Sequence, residues 1–184
     1  MKPPPERGPA VELQPPLSSV AWSGDFVAQT IEALFVYLAA DEARYLRPVH
    51  AESLRLGWGP GQQPGQIVLD AAARYGVAPL VAHSTSWRHE PDRVVLTYVV
   101  AVAPPAGDLP YLADEPVTRS DLARGDAFGP PPAIGVGQVI EHAFRHLAWL
   151  VADDAVVGAA LADWATFLAR YEPEPFRAFG PTTG

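Results

Sequence analysis

The chain has no cysteine, and its only lysine is Lys2. The first absence excludes disulfides, thiolate-held zinc, iron–sulfur clusters and cysteine nucleophiles. The second removes an ordinary Walker lysine and Schiff-base chemistry. Basic runs are also missing, and the formal net charge is −8. Phosphate backbones are bound by clustered Lys and Arg, so neither nucleic acid nor an anionic membrane surface is an expected partner. No window approaches the roughly 18 apolar residues in succession that mark a membrane span. The richest stretch, Phe26 to Ala40, is broken by Gln29, Thr30 and Glu32. The opening Met1-Lys2-Pro3-Pro4-Pro5 lacks the apolar region of a secretory signal, so the expected location is cytoplasmic. No serine lies in a Gly-x-Ser-x-Gly elbow, and Gly57-x-Gly59-x-Gly61 is followed by Gln62 where a dinucleotide fingerprint needs glycine.

What is present is an apolar-rich chain of 184 residues, long enough for one core. Residues 1–17 carry six of the 21 prolines and read as an extended tail, leaving 18–184 as a single domain. Val27, Ile31, Leu34, Phe35 and Leu38 follow helical spacing, which predicts a helix from about Asp25 to Asp41. A short strand is expected over Glu52–Gly57. A helix follows over Pro64–Tyr75, with Gly76 as its left-handed stop. Leu80–Arg88 and Arg93–Val102 read as two strands joined by the four-residue loop 89–92. The second is apolar on both faces and belongs inside a sheet. Pro104 to Gly135 reads as irregular apart from a short helix capped by Thr118. Two closing helices then carry the stripes Val136–Val151 and Val157–Tyr171, the second capped by Asp153 or Asp154. The expected fold is therefore α+β: a small, mainly antiparallel sheet covered by helices.

Two constellations are candidates for chemistry. His142 and His146 stand four apart on one helix, a spacing that lets two imidazoles share zinc or another divalent ion, with His83 or His50 completing the set. Counted from Ile140, His142, His146 and Trp149 fall about 180–240° around the helix. They are thus expected to point away from the core, and Trp149 with Arg145 then reads as an interface, a homodimer included. The second constellation is strand 83–89. Alternation sets His83, Thr85 and Trp87 on one face, with Arg88 on the other and Tyr98 across the hairpin from His83, a lining suited to a small-molecule ligand. Each has a plainer reading, as a solvated helix face and as an ordinary polar strand.

Leu54-Arg55-Leu56-Gly57-Trp58-Gly59-Pro60-Gly61-Gln62-Gln63-Pro64-Gly65-Gln66, followed by Ala71-Ala72-Ala73-Arg74-Tyr75-Gly76-Val77, resembles the strand–loop–helix of a Nudix domain. The resemblance implies an α/β/α sandwich and a nucleotide-handling ancestry. The glutamates that hold magnesium in that family are replaced here by Gln66, Ala73, Arg74 and Tyr75. Asp70 is the remaining carboxylate, too few for a hard cation. No cofactor is expected on this basis. The leading expectation is a non-catalytic binding or interaction protein; the alternatives are a metal-dependent hydrolase using His142 and His146, and a Nudix-like nucleotide-binding protein.

Overall fold

A computed structural model describes residues 28–122 and 133–174. It is an α+β fold in three layers. The element order is β1 (Ala28–Ala39), β2 (Glu42–Pro48), β3 (Leu54–Trp58), α1 (Pro64–Tyr75), β4 (Pro79–Glu90), β5 (Arg93–Val102), β6 (Leu112–Pro116), α2 (Val136–Asp153), α3 (Ala155–Ala160), a 3₁₀ turn (Ala162–Trp164) and α4 (Ala165–Leu168). The strands form one sheet in the order β4-β5-β1-β2-β6, with β3 also on β1.

The segment expected as the first helix is the central strand, β1. Its residues from Thr30 to Tyr37 are buried without interruption, because β1 has a layer of helix on each side. A strand covered on both faces buries every position, so its apolar residues need not alternate and a helical stripe can be merely a subset of them. The β-formers Phe35, Val36 and Tyr37 carry the decisive propensity. β5 runs parallel along one edge of β1, from Ala28 to Val36. The other edge is shared end to end: β3 pairs antiparallel with Gln29–Ala33 and β2 with Phe35–Ala39.

Alternation along β1 divides the core into two. Ile31, Ala33, Phe35 and Tyr37 face α1 and pack with Val68, Ala71 and Ala72. Leu34 and Val36 face the opposite layer, meeting Phe144 and Leu147 of α2 and, through them, Leu161, Trp164 and Leu168. Helix α1 occupies the expected residues, with proline in its first turn and Gly76 at φ 72° ending it. That left-handed conformation is one that an L side chain adopts only at a cost.

The β4–β5 hairpin is tighter than expected. Glu90 pairs with Arg93, leaving the two-residue loop Pro91-Asp92, so β4 extends to twelve residues. The apolar strand β5 lies between β4 and β1, as its composition requires.

The predicted helix over 157–171 is instead three short pieces. Asp154 caps the first, accepting from the amides of Val156 and Val157. Gly158 lets this corner close on α2, since a Cβ there would sit 2.9 Å from the Val151 carbonyl oxygen. Leu161 then leaves helical geometry, yet Leu161, Trp164, Leu168 and Tyr171 all reach the core. Residues 117–122 form no regular element, and the remainder of the short helix expected after Thr118 lies outside the described residues. The proline-rich start and the end beyond Glu174 lie outside them as well.

Candidate functional site

The two histidines of α2 point towards β4 rather than to solvent. His146 is 4% exposed, and its ring stacks on His83 of β4 with centroids 5.0 Å apart and planes 19° from parallel. Trp149 lies against the same imidazole at 5.5 Å and packs on the core. His142 Nε2 is 3.3 Å from the carbonyl oxygen of Thr85. The outward orientation inferred from the helical wheel is thereby corrected. Helix α2 is embraced by the sheet on one side and by residues 161–171 on another, so its buried arc is far wider than one apolar stripe.

His83, His142 and His146 thus share the α2–β4 seam. His50 does not join them. It lies in the loop after β2, beside Gly135 at the opposite end of α2, where Tyr45, Arg47, Glu52 and Glu115 line an open cleft of about 660 Å³. Among the described residues no three His, Cys, Asp or Glu side chains are grouped as a metal site requires.

Burial pushes the His83 imidazole below its ordinary value of 6.5, against the opposing charge of Asp154. A histidine depressed in the folded state binds fewer protons than in the unfolded chain. Its contribution to stability is therefore complete above about pH 6.5 and declines as pH falls through the folded value. Urea midpoints measured from pH 8 to pH 5 should fall on the acid side, and His83→Phe should flatten that slope. An unchanged slope in the variant would contradict this assignment.

The strand constellation is divided by a bulge. The β4–β5 register shifts between Ser84 and Ser86, so His83 pairs with Val99, not Tyr98, and Ser84 takes Tyr98. Thr85 is the extra residue, and beyond it the alternation is reversed. His83, Ser86 and Arg88 consequently share the α2 face with Val99, Thr97 and Val95, while Ala82, Ser84 and Trp87 share the α1 face with Val100, Tyr98 and Leu96. His83 and Trp87 lie on opposite faces and do not line one pocket.

Among the described residues two carboxylates are buried, and each gathers arginines around it. Glu32 is 3% exposed. Its Oε2 accepts from Arg88 Nη1 at 2.7 Å, and its Oε1 from Arg88 Nη2 at 3.0 Å and Ser53 Oγ at 2.8 Å. Arg55 approaches the same carboxylate at 3.3 Å, and Glu90 receives both arginines. Burial alone would raise the Glu32 carboxyl, but Arg88, Ser53 and Arg55 outweigh it and hold it below its ordinary value. The second carboxylate, Glu141 on α2, is gripped by Arg119 at 2.9 and 3.0 Å and by Arg145 at 3.2 Å. Arg145 also reaches Glu172 at 3.5 Å, so its guanidinium bridges two carboxylates of the chain. Neither Glu32 nor Glu141 stood out in the sequence. Glu32 is legible only once 28–39 is known to be a strand, because positions 30, 32, 34 and 36 then share one face.

The strand–loop–helix of 54–75 is present as β3 and α1, and Asp70 accepts a hydrogen bond from Gln66 at 2.8 Å.

The edges of the sheet differ sharply. β6 and β3 have five residues each; β6 carries Asp114, Glu115 and Pro116, and β3 carries Arg55. Short strands, charges and proline are the usual protection of an edge. β4 has twelve residues, and Leu80 to Trp87 contains no Asp, Glu, Lys or Arg. On it Trp87 is 66% exposed, with its ring set edge-on to His89 at 5.7 Å, and Leu80 is exposed further along. No family model matches this chain, and no curated protein is significantly similar to it.

Proposed function

We propose that this protein is a non-catalytic interaction protein that docks an extended partner segment along the outer edge of β4, with Trp87 as the anchor. The observation that carries the reading is the contrast between the edges: β3 and β6 are short and charged, whereas β4 is long, has an uncharged middle and holds an exposed tryptophan. An unprotected edge offers a row of backbone donors and acceptors to any added strand, and backbone pairing supplies affinity while side chains alternate into selectivity. Tryptophan is enriched among the residues that dominate binding energy. The hydrolase reading is less favoured, because among the described residues no third His, Cys, Asp or Glu side chain joins His142 and His146 in a metal-holding group.

The test compares wild type with Ser84→Lys/Trp87→Glu, two changes at exposed positions of the edge. Both proteins should have the same circular dichroism and melting temperature. Proteins retained in stoichiometric amount by immobilised wild type should bind the variant at least about tenfold more weakly. The same proteins held equally by both would overturn the reading.

A further inference from the structure

We infer that the strand received by β4 is β4 of a second copy, paired antiparallel about a two-fold axis between Ser84 and Thr85. The inference rests on the docking reading above and adds the identity of the partner. Its basis is the bulge. Two copies of a strand that extend one sheet across a two-fold must place side chains of the same face opposite each other. Without a bulge, alternation requires opposed residues to differ by an even number.

Thr85 reverses the alternation, so an axis between residues 84 and 85 becomes the face-consistent choice from Val81 to Arg88. Ala82 then meets Trp87 on the α1 face. His83 meets Ser86 and Val81 meets Arg88 on the α2 face. Moving the axis onto Thr85 would set His83 against Trp87 on contrary faces. Registers confined to one side of the bulge use only half the strand.

The side chains fit this register. The largest residue, Trp87, lies over the smallest, Ala82, which relieves the crowding of a bulky cross-strand neighbour. The Ser86 hydroxyl comes within hydrogen-bonding reach of the His83 imidazole. Arg88 is held by Glu32 at its tip and lays its aliphatic stem over Val81. A chain with net charge −8 repels its own copy over most of its surface, but Leu80 to Trp87 contains no Asp, Glu, Lys or Arg to oppose a like charge. The α1 layers of the two copies would then lie on one side of the continuous sheet.

The absence of cysteine makes the geometry directly testable. Sedimentation of wild type at up to about 100 μM should give twice the chain mass of 19.7 kDa, and Ser84→Lys should give the single mass with an unchanged fold. Under mild oxidation Ser84→Cys, beside the axis, should form a disulfide-linked dimer, whereas Thr118→Cys, exposed in the loop after β6, should not. A wild type that stays at single mass throughout, or a Thr118→Cys that links as readily as Ser84→Cys, would overturn self-pairing. If wild type is single while a different protein is still lost from the Ser84→Lys/Trp87→Glu variant, self-pairing is wrong and strand docking stands. If neither association depends on β4, both are wrong.

Discussion

Replacing Glu32 by glutamine is expected to destabilise the fold by about 3–5 kcal/mol, the usual cost of removing one partner from a buried ion pair. The side chain keeps its volume, so the loss is electrostatic. Arg88, only 14% exposed at its side chain, is left without its principal counter-charge, and the bond from Ser53 to a carboxylate becomes one to an amide. The pH dependence follows from the same contacts. The Glu32 carboxyl is depressed below its ordinary 4.5 in the folded state, so its contribution is complete above that value and is lost as pH falls through the folded one. Urea denaturation at pH 7 and at pH 3.5 should therefore separate wild type from Glu32→Gln widely at the first and less at the second. Replacing both partners, as in Glu32→Leu/Arg88→Leu, should recover much of the loss, since it removes the orphaned charge. A single-variant cost below about 1 kcal/mol at pH 7 would mean that solvent screens the network far more than its burial implies.

Phe144→Ala is the second large effect, about 3–5 kcal/mol. Phe144 is fully buried between the sheet and the closing segment. Its ring meets Phe167 and Tyr171 edge-on at 5.3 Å and Trp164 at 6.2 Å. The three short helical pieces after α2 have few backbone bonds of their own, so this aromatic cluster is what fixes them to the body. Removing the ring should lower the urea midpoint and also shift Trp164 fluorescence towards that of a hydrated indole. Phe144→Leu should cost less, about 1.5 kcal/mol, because most of the volume remains. Equal costs for the two substitutions would show that the cavity is not what matters there.

These two residues illustrate what the sequence made legible. Phe144 belongs to an apolar stripe that spacing identifies on its own, and α2, α1 with its Gly76 stop, and β5 follow from local rules in the same way. Glu32 was hidden because its surroundings read as a helix. A strand buried on both faces loses the period-two signal that announces strands, and only tertiary cover distinguishes it from a buried helix. β2 and β6 escaped for another reason. β2 buries Tyr45 on one face and Leu46 on the other, and β6 is five residues of which two are acidic; both are strands because β1 and β2 supply partners, not because their own sequence demands it.

The candidate sites show the same division. The pairing of His142 with His146 on one helix was visible, but their direction was not. A helical wheel measures angle from an apolar stripe and says nothing of how many neighbours surround the helix. Here β4 brings His83 to the side that the wheel assigned to water. The bulge at Thr85 was equally invisible, since no residue type in Ser84-Thr85-Ser86 requires it, and it alone decides that His83 and Trp87 face apart.

The most direct measurement is residue-resolved hydrogen exchange along 80–87, in protein diluted to nanomolar and then concentrated to about 100 μM. Outward-facing β4 amides are predicted to exchange rapidly in the dilute sample and to become protected in the concentrated one, with Trp87 losing exposure in parallel. Rapid exchange unaltered by concentration, or protection already complete in the dilute monomer, would contradict an edge that stands open until a second strand closes it.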